Sequence, residues 1–236
     1  MHLLDNPVWQ ALTGPQRHFG IGDGRARRYQ PDISPIAALE NPLATESWAA
    51  LADIVKVGET IGLFGTRSES VPDGWETEWR YPFLQMICTQ GSFRAPISGT
   101  TASVMRELDL SDGAAMVALA GLIQPGALEA RTVTIGRYLG IFDRNASLIA
   151  MAGERIRLDG FTEIGSVCTQ PEHRRKGYAN ALVASLTKQI VERGDTAFLH
   201  VKDVNSDAAR VYEKLGFSVC AVRDVAAFKK VEEIQA

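Results

Sequence analysis

The stretch that decides the reading runs from Phe161 to Ala179, FTEIGSVCTQPEHRRKGYA. Phe161–Thr169 has the make-up of a strand, and Pro171 marks its exit. Arg174-x-x-Gly177-x-Ala179 then turns the chain into a helix starting near Tyr178. A helix start leaves backbone N–H groups unpaired and carries partial positive charge, so such a turn suits a phosphate or pyrophosphate. Gly177 and the small Ala179 let a bulky anion reach the main chain, and Arg174, Arg175 and Lys176 add full charges at the rim. Taken alone, the pattern reads first as a tight turn with solvated basic residues, because glycine turns recur by chance. Gly165, a poor strand former inside the strand, predicts a bulge or a close backbone approach.

Working outward, Ala179, Leu182, Leu186 and Ile190 recur at helical spacing and predict a helix over Tyr178–Arg193, ended by Gly194. Thr196–Val201 reads as a strand. Asn205 or Ser206 caps a helix reaching Leu215, stopped by Gly216, and Phe217–Val222 and Val225–Lys229 read as two closing strands. Upstream, Val104–Leu108 reads as a strand and Leu110–Ile123 as a helix capped by Ser111 and Asp112. Tyr138–Phe142 and Ser147–Arg157 form an antiparallel pair around Asp143-Arg144-Asn145. The order β-α-β-β-β-α-β-α-β-β predicts an α/β chain of the α+β type, with a mixed sheet and helices on both faces.

Residues 1–100 have another texture. They hold all four tryptophans (Trp9, Trp48, Trp75, Trp79) and most of the prolines, with a helix expected over Glu46–Val55 and strands over Glu59–Gly65 and Trp79–Cys88. The Gly, Ser, Thr and Pro content of Gly91–Thr101 places a boundary near residue 100, dividing the chain into 1–100 and 101–236.

Composition excludes several classes. The 236 residues are 45% hydrophobic and 22% charged with net charge −3, and the mean hydropathy is −0.06. That is too apolar and too weakly charged for a disordered chain. No run reaches the ~18–20 apolar residues of a membrane span, and MHLLDNPVWQ lacks the pattern of a signal peptide. Cys88, Cys168 and Cys220 are odd in number and lack metal-ligand spacing, so a reducing cytoplasm is expected and no metal. The slightly acidic balance gives no reason to expect nucleic acid or a membrane as partner.

A second element gives the first its meaning. Asn205-Ser206-Asp207-Ala208-Ala209-Arg210-Val211-Tyr212-Glu213-Lys214-Leu215-Gly216-Phe217 resembles the Asn-x-x-Ala-x-x-x-Tyr-x-x-x-Gly-Phe element of the GNAT superfamily of acyl-CoA-dependent N-acyltransferases. Arg174–Ala179 resembles that superfamily's Gln/Arg-x-x-Gly-x-Gly/Ala signature. The likeness is specific over Thr162–Phe217 and extends from Val104 to the C-terminus. No motif carries it into residues 1–100, which read as a degenerate second copy of the fold or an accessory substrate region.

The resemblance implies a GNAT-like, mostly antiparallel sheet, with acetyl-CoA as co-substrate and an amine as acceptor. It places the coenzyme pyrophosphate on the backbone of Arg174, Arg175, Lys176, Gly177, Tyr178, Ala179 and Asn180. The pantetheine runs beside Val167, Cys168 and Thr169, where the neighbouring strand splays away. Asn205 holds the pantetheine or simply caps its helix. Tyr212 is implied as the acid that protonates the departing thiolate, or as a core ring that orients the sulfur; a phenol near pKa ~10 beside a thiol near ~8.5 is a credible donor. Glu163 is the first-choice base, because a catalytic glutamate occupies a similar Phe-x-Glu-Ile string in relatives that acetylate protein lysines. Glu154 comes second and a chain of waters third. A base at Glu163 calls for partial burial that raises its pKa towards neutrality.

Cys168 reads as core packing, His200 as a core or slot-lining residue, and His173 as an exposed loop residue equally able to touch phosphate. Trp75, Trp79 and Tyr81 read as core before pocket. The acceptor wall is expected around Leu110–Arg137 and residues 1–100. A small-molecule or peptide amine and a homodimer stay open as partners. The alternative function is a non-catalytic acyl-CoA-binding sensor, which would need neither Glu163 nor Tyr212.

Overall fold

A computed structural model describes residues 2–65, 71–96, 105–123 and 128–232. In chain order the first elements are α1 (Pro7–Thr13), β1 (Gly20–Ile21), β2 (Ala26–Tyr29), β3 (Ile36–Leu39), α2 (Thr45–Ile54), β4 (Thr60–Phe64) and β5 (Trp75–Cys88). Then come β6 (Met105–Glu107), α3 (Gly113–Gly121), β7 (Tyr138–Phe142), β8 (Leu148–Leu158) and β9 (Phe161–Thr169). The chain closes with α4 (Tyr178–Glu192), β10 (Thr196–Lys202), α5 (Ser206–Lys214) and β11 (Ser218–Lys230). Among the described residues the strands form one sheet in the order β1-β2-β3-β4-β11-β5-β10-β9-β8-β7-β6. Pairing is antiparallel except for β3 with β4 and β9 with β10. The sheet is mixed and mostly antiparallel, with helices on both faces, as the sequence reading expects.

Period-2 alternation decides which helices cover which face. Tyr138 and Met151 point into a core shared with Leu12 of α1 and Met116 of α3. Their neighbours Leu139, Ala150 and Ala152 point into the opposite core, under Leu182, Leu186 and Ile190 of α4 and Ala209 and Tyr212 of α5. Each large aliphatic side chain so buried contributes about 1.5–3 kcal/mol. A third cluster packs Trp48 and Leu51 of α2 on Ile61, Leu63, Trp75 and Phe228. Trp75 is therefore core, as expected. Trp79 and Tyr81 are not: their rings stack at 5.8 Å on a stretch of β5 where Tyr81 is 45% exposed.

Most strands and helices of the C-terminal part lie within a residue or two of their expected places, and two details differ. The segment Leu110–Ile123 opens as a 3-10 turn, and its cap is Asp109 rather than Ser111 or Asp112. The Asp109 carboxylate accepts from the Ser111 N–H while Asp112 accepts from the Asp109 N–H, a reciprocal box that satisfies both orphan donors. The two closing strands are one: β11 continues through Arg223 and Asp224 because both stay in register with Phe83 and Pro82 of β5, and the two register shifts sit at Cys220 and between Ala227 and Phe228 instead. The N-terminal elements α1, β1, β2 and β3 lie beyond the elements the sequence predicts; Asn6, whose side chain accepts from the Trp9 N–H, with Pro7 behind it is the legible start signal for α1.

β5 lies between β10 and β11, so the sheet is continuous from the first hundred residues to the last. The boundary expected near residue 100 falls within 97–104, outside the described residues.

Candidate active site

The site is built where β9 parts from β10. The two strands pair only over Phe161–Glu163 and Thr196–Phe198. From Ile164 onward β9 keeps β8 on one side, while β10 follows β5 away on the other. A bulge sharpens the parting: Gly165 faces Gly153 and Cys168 faces Met151, which leaves one extra residue in β9, and Ser166 takes φ +52° there. The edge of β9 around Val167, Cys168 and Thr169 is thus unpaired by β10, as a slot for an extended ligand requires.

Beyond Thr169 a 3-10 turn at Pro171–His173 leads into the basic bend. Arg175 has φ +60° and Gly177 φ +82°, and Gly177 begins α4 with no side-chain cap. The first bond of the helix is Ala181 N–H to Gly177 O, so the amides of Tyr178, Ala179 and Asn180 lie ahead of it. A Cβ on Gly177 would meet nothing within 4 Å, so its glycine answers to backbone conformation and leaves the main chain open to solvent. Arg174, Arg175 and Lys176 are exposed. Arg174 Nε donates to Thr169 O at 3.4 Å, and Lys176 Nζ lies 3.4 Å from His173 Nδ1. Three amides without a partner among the described residues, together with a cationic rim, fit a pyrophosphate.

The other half of β9 carries a buried ionic network. Glu163 is 0% exposed; Arg155 Nε donates to its Oε2 and Arg155 Nη2 to its Oε1, each at 2.8 Å. His200 Nδ1 lies 2.7 Å from Oε1. The tautomer follows from the next partner: Gln85 donates its amide to Leu4 O at 2.9 Å, so the same nitrogen, 3.0 Å from His200 Nε2, can only donate there too. The Nδ1–H of His200 therefore donates a hydrogen bond to Glu163 Oε1. Burial pushes the Glu163 carboxyl up, but the Arg155 guanidinium and the His200 and Arg155 hydrogen bonds outweigh it and hold the pKa at about 2. This corrects the expectation of a value raised towards neutrality, because a buried carboxylate with a fixed cation behaves oppositely to one without. Glu154, the second candidate, is buried and bound to Arg193 Nη1 at 2.7 Å.

Two glycines shape this face. Gly153 and Gly165 are cross-strand partners. A Cβ on Gly153 would come within 2.4 Å of the Tyr138 ring, and one on Gly165 within 2.8 Å of Arg155 Nε. The expected bulge and the close approach at Gly165 both occur, the approaching group being the guanidinium. Tyr138 Oη is buried beside Ser166 and Cys168, and burial pushes its pKa up to about 12.

Tyr212 sits 7% exposed on α5 with its ring 6.1 Å from Phe217. Burial, then the nearby Cys168, raise its pKa to about 12, so it is a protonated donor at neutral pH. Burial likewise lifts Cys168 to about 11, which keeps it a thiol and agrees with packing rather than nucleophilic use. Asn205 accepts from Ala208 N–H at 3.3 Å, the cap of its alternative reading.

An open cleft of about 440 Å³ lies to one side, between α3, the β7–β8 turn and Gln170, and is lined by Arg106, Asp112, Leu119 and Phe142 among others. It covers part of the expected acceptor wall; residues 124–127 of that wall are outside the described residues. Sequence reasoning missed Arg155 and Tyr138. The flagged Gly165 was the available signal, since a strand glycine implies that something rests on it.

Three comparisons bear on this geometry. The family described as FR47-like protein matches residues 138–225. The [ribosomal protein bS18]-alanine N-acetyltransferase of Escherichia coli (strain K12) is 32% identical over 89 residues, 37% of this chain and 60% of that protein. The chain thus spans about three fifths of the curated relatives it matches. A solved structure from Novosphingobium aromaticivorans DSM 12444, described as a GNAT-family protein, is 31% identical over 98% of this chain and 99% of that one, with a TM-score of 0.83. A GCN5-related N-acetyltransferase from Kribbella flavida shares the fold at 20% identity, with a TM-score of 0.62 over 95% of this chain and 94% of that one.

Proposed function

The chain belongs to the GNAT family, and on that premise we propose that it transfers an acetyl group from acetyl-CoA to a primary amine within a ternary complex. The observation that carries this is the alignment of two features along one strand. The unpaired edge of β9 at Val167–Thr169 leads straight to the free amides at the start of α4.

The amides of Tyr178, Ala179 and Asn180 take the pyrophosphate, with Arg174, Arg175 and Lys176 around it. The β9 edge pairs with the pantetheine arm. The thioester then lies at the bulge, where an N–H near Val167–Cys168 receives the developing oxyanion. The amine nitrogen attacks the carbonyl carbon, the carbon–sulfur bond breaks, and Tyr212 gives its proton to the leaving thiolate. Much of the acceleration comes from alignment of the two reactants, with acid–base help of about 10²–10⁴.

Deprotonation of the ammonium falls to water. Glu163, at about 2, lies about eight pKa units below an ammonium, and its oxygens are bound inside the protein. It fixes Arg155 and His200.

The test is a thermal-shift titration with acetyl-CoA, followed by thiol release with a panel of amines. Saturation at a hundred times Kd stabilises by about 2.7 kcal/mol. Absence of any shift, or of thiol release with every amine, would overturn the transferase reading.

A further inference from the structure

We infer that the acceptor carries a free carboxylate next to its amine, as an α-amino acid does, and that Arg155 is the residue that reads it. This deepens the acetyltransferase reading and rests on it.

Arg155 is unusual in its surroundings. Its neighbours Tyr29, Tyr138 and Glu163 are all 0% exposed, yet its own side chain is 22% exposed. Arg155 is thus partly open to solvent where its partners are not, with its guanidinium carbon 5.4 Å from the centre of the Phe64 ring. Glu163 engages Nε and Nη2, and no described residue accepts from Nη1. The Glu163 oxygens are committed to Arg155 and His200, so the one anion already present is satisfied within the network. The guanidinium's third nitrogen remains for another acceptor.

Its place relative to the bulge sets the substrate class. The guanidinium lies over Gly165, within 3.2 Å of where that residue's Cβ would be, and Ser166 of the bulge is next along the strand. Tyr138, folded over the cross-strand Gly153, lies beside Ser166 as well. One residue along a strand is about 3.3 Å, so a carboxylate on Nη1 leaves room for only one or two carbons before the nitrogen at the thioester. An α-amino acid has that spacing. A peptide N-terminus does not meet the requirement, because its first carboxyl is already an amide.

The test compares glycine and L-alanine with glycinamide, L-alaninamide and methylamine as acceptors, with rates corrected for the fraction of free amine. The protein is first shown to bind acetyl-CoA by thermal shift. The amino acids are expected to exceed their amides in kcat/KM by at least about 10-fold, the size of a charge-assisted hydrogen bond. In Arg155→Lys, which keeps a cation for Glu163 but not the fork, that preference should vanish through KM while the Kd of acetyl-CoA stays unchanged. Equal or better use of the amides or methylamine by the unaltered protein overturns the inference. So does binding of acetyl-CoA without acetylation of either amino acid. No binding of acetyl-CoA at all would overturn the transferase reading itself and this inference with it.

Discussion

At the C-terminal end of β9, charge is handled by exposed basic side chains and by main-chain amides with no fixed partner among the described residues; in its N-terminal half, Glu163 is fully buried and bound by side chains from β8 and β10. The first arrangement suits a ligand that comes and goes, since water replaces the anion at little cost. The second suits a permanent frame, since Glu163 itself meets no solvent that could replace a lost partner. Removing one partner of a buried ion pair typically costs about 3–5 kcal/mol, whereas exposed pairs are worth about 0–1 kcal/mol. One strand therefore joins a rigid half to an adaptable half, with the bulge at Ser166 between them.

The contrast breaks most visibly at Arg155. Arg155→Ala should destabilise by about 3–5 kcal/mol in urea unfolding, because Glu163 is left charged and buried; a loss below about 1 kcal/mol would mean the pair is not the frame. Acid titration probes the same network. Folding holds Glu163 below its ordinary 4.5, at about 2, so the stability it contributes is complete above pH 4.5 and drains as pH falls towards 2. Glu163→Gln should flatten that limb of midpoint against pH; an unchanged limb would place the acid sensitivity elsewhere.

Smaller effects sharpen the adaptable half. Tyr212→Phe should lower turnover by about 10²-fold while acetyl-CoA binding measured by calorimetry stays put; full activity would remove Tyr212 from the mechanism. Gly177→Ala places a Cβ at φ +82° in open space. Its cost is conformational, about 1–2 kcal/mol, and should show as roughly tenfold weaker acetyl-CoA binding with secondary structure intact. Arg174→Ala with Lys176→Ala should weaken binding by no more than about 5-fold, more at low salt, and leave the melting temperature unchanged.

Those differences track what the chain discloses on reading. The bend at Arg174–Ala179 and the Asn205–Phe217 element were legible because their geometry is local: a positive-φ glycine, a helix start, an asparagine cap. β9 and α4 were placed for the same reason. The Glu163 environment was not legible. Its partners lie eight and 37 positions away, and the sign of its pKa shift depends on whether a cation arrives with the burial. Arg155 reads as one more charged strand residue until the register puts Gly165 beneath it. The merging of Phe217–Val222 with Val225–Lys229 into β11 likewise depends on β5, a ladder partner more than a hundred residues upstream.

That same β5 has a bearing on how the protein can be made and dissected. It forms ladders with β10 on one side and β11 on the other, so a recombinant fragment beginning after residue 100 would retain both motifs yet face a vacant lane through the middle of its sheet. Two strands would then offer bare amide rows to any passing chain. Soluble expression of that fragment, and its rescue by adding the missing piece in trans, measure how far the first hundred residues serve as a built-in part of the fold rather than as cargo.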